Sequence, residues 1–118
     1  MKIYVDIDNT ICLTEEFDYE NALPLYDRIK LVNGLYDEGH IIVLWTARGT
    51  VSGTDYSQLT KMQLEVWGVK YTKLKFGKPD FDIFIDDKAI NSRDMITMFS
   101  PNTTIENIIM DNCYGNDD

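Results

Sequence analysis

The chain has 118 residues, of which 44% are hydrophobic and 26% are charged, and its formal net charge is −9. This is the composition of a globular protein rather than of a disordered chain, and the length suits one domain over residues 1–118. The negative charge argues against non-specific binding to nucleic acid, which needs a field of Lys and Arg, although it does not exclude a local basic groove.

Targeting signals are not evident in the sequence. No stretch approaches the length of a membrane span, and Asp6 and Asp8 interrupt the apolar run where a signal peptide would have its core. Cys12 and Cys113 lack the spacing of metal ligands, which favours reduced thiols. We therefore expect a cytoplasmic protein without membrane association, ending in a flexible acidic tail over residues 112–118.

The beginning of the chain carries the first chemical signal. An apolar run over residues 3–5 leads directly into Asp6 and Asp8, which predicts a buried strand that delivers two carboxylates to a sheet edge. Alternate residues of a strand share a face, so the two carboxylates would repel each other unless a cation lies between them. A divalent metal is one such cation. The alternative is that Asp8, Asn9 and Thr10 only form a turn.

The first half of the chain continues as loop, helix and strand. Residues 11–23 are polar and acidic, and we predict a loop or flap above the end of the first strand. A helix is predicted from Pro24 to just before Gly39, with an inward face at helical spacing formed by Leu25, Ile29, Val32 and Tyr36. The apolar run over residues 41–45 predicts a strand that is covered on both faces and ends at Thr46.

The second half repeats this alternation. We predict a loop over residues 49–53, a helix over residues 55–67 that ends at Gly68, and a short strand over residues 69–74. The inward residues of that helix are predicted to be Leu59, Met62 and Val66. A turn over residues 77–80 leads into a strand over residues 81–85, a helix follows over residues 91–99, and residues 103–110 suit an edge strand or a helix.

Alternating strands and helices indicate an α/β fold, Rossmann-like in three layers, with a mainly parallel central sheet. Ligands of such sheets bind beyond the carboxyl ends of the strands. Three predicted strands end in reactive side chains at that edge, namely Asp6 with Asp8, Thr46, and Asp86 with Asp87. This coincidence favours a functional site there.

The residues at this edge limit the chemistry. His40 is the only histidine, and its turn position between a helix and a strand favours a solvated loop residue over a base or a ligand, so a Ser-His-Asp or Cys-His nucleophile is disfavoured. Carboxylate oxygens suit a hard cation, most naturally Mg²⁺, which binds through a few carboxylates and a substrate phosphate. Phosphoryl transfer follows from that pairing.

Four ordered motifs carry a family resemblance. Residues 6–10, Thr46 after an apolar strand, Lys78 before a proline, and the pair at residues 86–87 resemble the motifs of the haloacid dehalogenase superfamily of aspartyl-phosphate phosphatases. The match spans about residues 3–88. Since the dehalogenase branch usually lacks the second aspartate, Asp8 favours a phosphatase.

The resemblance implies a role for each matching residue. Asp6 would attack phosphorus and form an aspartyl-phosphate, and Asp8 would act as general acid and then as general base. Thr46 would donate a hydrogen bond to the phosphoryl group, and Lys78 would neutralise Asp6 and the phosphate. The Mg²⁺ site would comprise Asp6, Asp8 through its backbone carbonyl, and Asp86, with Asp87 orienting the metal's waters or Lys78.

The resemblance also concerns the substrate side. Asn9, Thr10, Ala47 and Arg48 would contact the substrate, although Arg48 also suits a surface ion pair. The intervals over residues 9–45 and 47–77 leave no room for the cap domain that members usually carry. An open site of this kind suits a large or protruding substrate, or it is closed by a partner subunit such as a second copy of the chain.

Residues 35–40, 67–71 and 77–79 further resemble small bacterial and phage members of the superfamily, some described as capsular polysaccharide biosynthesis phosphatases. A phosphosugar or another phosphorylated metabolite is therefore the expected substrate. Tyr19, Trp45 and Tyr56 suit stacking on a sugar or base, or else packing. The alternatives are a polynucleotide or nucleotide phosphatase of the same superfamily, a receiver-like phosphoacceptor domain without turnover, and a domain that only binds.

Overall fold

The computed structural model describes residues 1–99, so the segment 103–110, Cys113 and the tail over residues 112–118 lie outside the described residues. The chain divides into two compact units, residues 1–80 and the part that begins at Phe81. Each unit is described by itself. No helix within residues 1–99 combines the length and the apolar character needed to cross a membrane.

The first unit contains a parallel three-stranded sheet. Its strands are β1 (Lys2–Val5), β4 (Ile41–Trp45) and β5 (Lys73–Lys75), in the order β1-β4-β5 with β4 in the middle. Three consecutive residues of β4, 42–44, are buried, as expected for a central strand covered on both faces. Together with the flanking helices, this sheet confirms the predicted α/β, Rossmann-like fold with a parallel sheet.

Helix α1 (Tyr26–Asp37) connects β1 to β4 and packs against β4. The predicted helix is confirmed, and Gly39 follows its end with a φ of 97°, a conformation that glycine adopts without steric cost. The buried positions are Ile29, Val32 and Leu35, whereas Tyr36 is exposed. The predicted inward position at Tyr36 is therefore wrong by one residue, because the buried stripe follows a spacing of three at this end.

The segment over residues 11–23, called the flap below, is an ordered ribbon. Strands β2 (Cys12–Leu13) and β3 (Leu23–Pro24) pair antiparallel, and a 3₁₀-helix at Tyr19–Asn21 lies between them. The side chains of Ile11, Cys12, Thr14 and Tyr19 are buried. The flap is thus packed onto the first unit through a few of its side chains, while its acidic residues are exposed.

Helix α2 (Ser57–Val66) is present, but its predicted inward face is wrong. Met62 and Val66 are exposed, and the buried residues are Thr60, Gln63 and Leu64. The physical reason is that this face covers a buried charged group, described below, which requires polar partners. The strand after α2 is also shorter and later than predicted, since β5 begins at Lys73.

The second unit differs most from expectation. The predicted strand over residues 81–85 is not formed, and its side chains are exposed, with Ile85 93% exposed. A strand needs a neighbouring strand to take its N–H and C=O groups, and residues 81–99 contain none. The predicted helix over residues 91–99 is present in part, as a 3₁₀-turn at Ser92–Asp94 followed by the single-turn helix α3 (Met95–Met98).

Candidate functional site

The site lies at the carboxyl edge of the sheet in the first unit. Asp6 follows β1 directly and Thr46 follows β4 directly, and the parallel register that pairs Val5 with Leu44 brings both strand ends to one edge. The backbone of Thr46 donates to the carbonyl of Lys75 at 2.9 Å and accepts from the backbone N–H of Lys78 at 3.1 Å. The loop after β5 is thereby fastened to the end of β4.

Asp6 is a half-buried carboxylate that faces a lysine. Its Oδ1 accepts a hydrogen bond from the backbone N–H of Ile7 at 2.9 Å, and its Oδ2 lies 3.6 Å from Nζ of Lys78. Its side chain is 36% exposed. Desolvation by burial raises the pKa of Asp6, and the Lys78 ammonium partly opposes that rise. The predicted pairing of these two residues is therefore present in the fold.

Asp8 lies in a tight turn and is fully engaged by donors. The backbone N–H groups of Thr10 and Ile11 both donate to the carbonyl of Ile7, at 3.1 and 2.9 Å. The carboxylate of Asp8 accepts from Oγ1 of Thr14 at 2.6 Å and, through both of its oxygens, from Nη2 and Nε of Arg48 at 2.9 and 3.0 Å. This is a bidentate ion pair, the strong form of carboxylate recognition.

Arg48 is the buried centre of a polar network. Its side chain has no exposed surface, so it forms a buried ion pair rather than a surface one. Its Nη1 donates to Oγ1 of Thr60 at 3.1 Å and to Oε1 of Gln63 at 2.6 Å. Nε2 of Gln63 donates in turn to the carbonyl of Tyr19 at 2.7 Å, and the guanidinium lies 4.9 Å from the centre of the Tyr19 ring.

Sequence reasoning missed Thr60 and Gln63. They lie three residues apart on α2 and therefore share one face of the helix. Two polar residues at that spacing, next to Leu64, are the signal by which they could have been found.

The remaining predicted contact residues take different positions. Thr46 is fully buried and its Oγ1 accepts from the backbone N–H of Arg48 at 3.1 Å, so a bond from its hydroxyl to a substrate requires a local opening. Asn9 is exposed with a φ of 61°, and its Oδ1 accepts from the backbone N–H of Thr14. Thr10 and Ala47 are half-buried at the same edge.

The predicted metal ligands are distributed over both units. Asp6 and Asp8 are neighbours in the first unit, whereas Asp86 and Asp87 are exposed residues of the second. Hydrogen bonds from Asp87 and from the backbone of Lys88 lower the pKa of Asp86. Within residues 1–99, no group of three or more His, Cys, Asp or Glu side chains is arranged to hold a metal ion.

The donor chemistry of the first unit still suits Mg²⁺. That ion typically binds one or two carboxylates, keeps several waters and takes further oxygens from a phosphate. Asp6 offers a carboxylate and Asp8 a backbone carbonyl, while the side-chain oxygens of Asp8 are already hydrogen bonded to Arg48 and Thr14. The residues present therefore fit a cation with few protein ligands.

A cavity of about 220 Å³ is lined in part by Arg48, the partner of Asp8. The loop after β4, which lines part of this cavity, is held in place by a hydrogen bond from Oγ1 of Thr50 to the carbonyl of Lys78 at 2.8 Å. Hydrogen bonds from Ser57 lower the pKa of Asp55, so the cavity carries a carboxylate. The lining residues are Arg48, Gly49, Thr50, Thr54, Asp55, Tyr56, Phe76 and Gly77.

The aromatic residues and His40 have structural contacts. Tyr19 packs edge-to-face on Tyr56 with 4.9 Å between ring centres, and Trp45 packs on Tyr4 at 5.8 Å. Of the two predicted roles for these aromatic rings, the contacts favour packing within the fold over stacking on a ligand. His40 precedes β4, at the end of the strand opposite to Thr46, and its Nδ1 lies 2.8 Å from the N-terminal amine. It is therefore a loop residue at the other edge of the sheet.

Comparison with known proteins supports the fold. A crystal structure of a protein from Vibrio cholerae, described only as a target, matches with a TM-score of 0.77 and 25% sequence identity, over 91% of this chain and 92% of its own. That description gives no activity. No family model matches the sequence, and the search of curated proteins gives no match.

Proposed function

We propose that this chain is a Mg²⁺-dependent phosphatase of the haloacid dehalogenase type, which hydrolyses a phosphomonoester through an aspartyl-phosphate at Asp6. The observation that carries the proposal is the pairing of Asp6 with Lys78 at 3.6 Å. The pair lies at the sheet edge where Thr46 follows the last residue of β4. A partly desolvated carboxylate beside an ammonium is suited to attack phosphorus, because the ammonium can neutralise the phosphoryl oxygens.

In the first proposed step, a carboxylate oxygen of Asp6 attacks phosphorus and the bond from phosphorus to the leaving oxygen breaks. Protonated Asp8 gives its proton to that oxygen, so that an alcohol departs and an acyl phosphate remains on Asp6. In the second step, Asp8 accepts a proton from water, the water oxygen attacks phosphorus, and the bond to Asp6 breaks. Inorganic phosphate leaves and both side chains return to their starting states.

The Asp6 carboxylate and the backbone carbonyl of Asp8, the predicted ligands that lie in the first unit, would hold the Mg²⁺. The ion would supply positive charge to the phosphoryl oxygens as charge develops there. Lys78 supplies the same kind of stabilisation from the chain itself, since its ammonium already lies within ion-pair distance of Asp6.

The ion pair between Asp8 and Arg48 constrains the proposed acid and base. Both carboxylate oxygens of Asp8 accept hydrogen bonds in the described arrangement. To carry a proton, Asp8 must give up one of these contacts, and Arg48 must keep its other partners while it does so. Arg48 is therefore proposed to hold Asp8 in place, rather than to contact the substrate phosphate or the leaving group as its position after Thr46 suggests from the sequence.

The lining of the cavity that Arg48 shares supports the proposal of a neutral, hydroxylated leaving group. Its lining contains the Asp55 carboxylate, threonine hydroxyls and two aromatic rings, and its one cation, Arg48, is already paired with Asp8. A second phosphate would meet an anion there without a free cation. A phosphosugar is therefore favoured over a phosphorylated oligonucleotide, in agreement with the net charge of −9.

The proposal is tested by phosphate release from p-nitrophenyl phosphate with Mg²⁺, for the wild type, Asp6→Asn and the matched control Asp27→Asn on α1. We expect the Asp6 variant to lose at least 10³-fold in kcat, since the nucleophile is removed, and the control to match the wild type. Retained activity in Asp6→Asn would contradict the nucleophile assignment. Labelling of Asp6 by a small phosphodonor without turnover would indicate a receiver-like phosphoacceptor instead.

Substrate class is tested with the same protein. Phosphosugars and 3′- or 5′-phosphorylated oligonucleotides are compared by kcat/KM at one Mg²⁺ concentration. We expect a phosphosugar to be preferred, and Asp55→Asn to narrow the difference because it removes the repulsion of a second phosphate. A preference for the oligonucleotides would contradict this reading of the cavity.

A further inference from the structure

Gln63 is a buried polar side chain to which the proposed mechanism assigns no task. It is 8% exposed, and its amide joins two separate parts of the first unit. Oε1 accepts from Nη1 of Arg48 at 2.6 Å, and Nε2 donates to the backbone carbonyl of Tyr19 at 2.7 Å. One side chain thus contacts both the flap and the partner of Asp8.

The geometry of Arg48 gives this contact its significance. The guanidinium has one edge, Nε and Nη2, on Asp8, while its Nη1 points to Thr60 and Gln63. A planar guanidinium cannot rotate without breaking its hydrogen bonds to Asp8 and those of its Nη1. The partners of Nη1 therefore fix the orientation of the Nε–Nη2 edge that binds Asp8. Hydrogen bonds from α2 therefore determine where the Asp8 carboxylate is held.

The other half of the Gln63 amide fixes the flap. Tyr19 lies in the middle of the flap, and its ring stacks under the guanidinium of Arg48 and packs against Tyr56. If the flap opened at Tyr19, the amide of Gln63 would lose a buried partner, and Arg48 would lose a ring contact. Gln63 therefore couples the flap to the Asp8 ion pair, in addition to the direct hydrogen bond from Thr14 to Asp8 and the contact between the Tyr19 ring and Arg48.

We infer that Gln63 is a positioning residue for the proposed phosphatase reaction, because its amide clamps the flap to Arg48 and thereby holds Asp8 at the leaving oxygen. The inference rests on the proposed function for its catalytic part. Its structural part, that Gln63 contributes to holding the flap against Arg48, rests on the two hydrogen bonds of its amide and does not depend on the proposed function.

The test compares Gln63→Met with Gln63→Glu and with the matched control Gln58→Met, which changes an exposed glutamine of the same helix. Methionine fills a similar volume but removes both hydrogen bonds. Glutamate keeps an acceptor for Arg48 and sets a carboxylate against the carbonyl of Tyr19. Thermal melting checks that each variant is folded before it is assayed.

The first measurement is amide hydrogen exchange over residues 14–22 without substrate. Both Gln63 variants should exchange at least fivefold faster than the wild type in this segment, and Gln58→Met should not, since only the former release the flap. Equal exchange in the wild type and both Gln63 variants would overturn the clamp. This readout does not depend on phosphatase activity.

The second measurement is kcat/KM for phenyl phosphate and p-nitrophenyl phosphate, which reports the steps up to departure of the leaving group. Phenolate needs a proton from Asp8, whereas p-nitrophenolate leaves readily without one. We expect Gln63→Met to lose about tenfold with phenyl phosphate and less than threefold with the nitro ester, because only proton donation is misplaced. Equal losses with both esters would show a merely structural role and overturn the positioning role.

The two proposals can fail separately. A wild type that turns over neither ester with Mg²⁺ would contradict the proposed function and, with it, the catalytic part of the inference. Faster flap exchange in the Gln63 variants would then still support the structural part, and unchanged exchange would overturn it.

Discussion

Replacement of Arg48 by methionine should destabilise the protein by about 3 kcal/mol. The change removes a fully buried guanidinium and leaves Asp8, 20% exposed, without its bidentate partner. Breaking a buried ion pair from one side costs about 3–5 kcal/mol, since the remaining charge is uncompensated. Partial exposure of Asp8 and its bond from Thr14 place the expected cost at the lower end. Because a domain of this kind is stable by about 5–15 kcal/mol, the variant should fold.

A double-mutant cycle separates the ion pair from the packing of the arginine. Asp8→Asn, Arg48→Met and the double variant are compared by urea unfolding, followed through tryptophan fluorescence. We expect a coupling energy of about 2 kcal/mol, so that the double variant is less destabilised than the sum of the single variants. This follows because the double variant contains no unpaired buried charge.

The matched control is Arg93→Met in the second unit, where the arginine is exposed. Its effect should stay within about 0.5 kcal/mol, as for most surface substitutions. A cost below about 1 kcal/mol for Arg48→Met, or a coupling energy near zero in the cycle, would show that the buried network does not hold the site together. The role assigned to Gln63 would then lose its physical basis.

Three further predictions concern the same unit. Folding raises the pKa of Asp6 above its usual value of 3.8, so the wild type loses free energy of unfolding as the pH rises through the folded pKa. The free energy of unfolding of Asp6→Asn, measured in urea, should therefore equal that of the wild type below pH 3.8 and exceed it at neutral pH. A wild type as stable as the variant at neutral pH would contradict this. Gly49→Ala should lower the unfolding free energy by at least about 2 kcal/mol, because Gly49 has a φ of 82° and an added Cβ would lie 2.1 Å from the carbonyl oxygen of Thr54. The control Gly53→Ala should cost less, because a Cβ there would lie in open space. Millimolar Mg²⁺ should raise the Tm of the wild type more than that of Asp6→Asn, and equal shifts would count against a site at Asp6.

The sheet and its reactive edge could be predicted because each depends on local signals. The run at residues 41–45 is apolar at every position, which a central parallel strand requires, and it ends abruptly at Thr46. Asp6 follows its strand in the same way. Once two such strands are parallel neighbours, their ends must lie together, so the approach of Asp6 and Thr46 follows from topology without knowledge of any side-chain contact.

The strand over residues 81–85 could not be judged by the same rule. Its sequence is apolar at every position except Asp82, but a strand is defined by its hydrogen-bonded neighbour and not by its own pattern. The position of β5 shows the same limit, since it pairs with β4 at Lys73–Lys75 although residues 69–74 fit the pattern equally well. Pairing is a non-local property, and the sequence of one segment does not contain it.

The face of α2 was predicted wrongly for a reason that bears on function. A search for apolar periodicity selects Met62 and Val66, but the helix covers a buried arginine and must offer it oxygen atoms. A helix that faces a charged site is therefore turned away from the orientation that its hydrophobic residues favour, and its exposed apolar residues are a consequence of that requirement. Exposed apolar residues on a helix whose buried face carries a polar pair such as Thr60 and Gln63 thus indicate a helix that supports such a site.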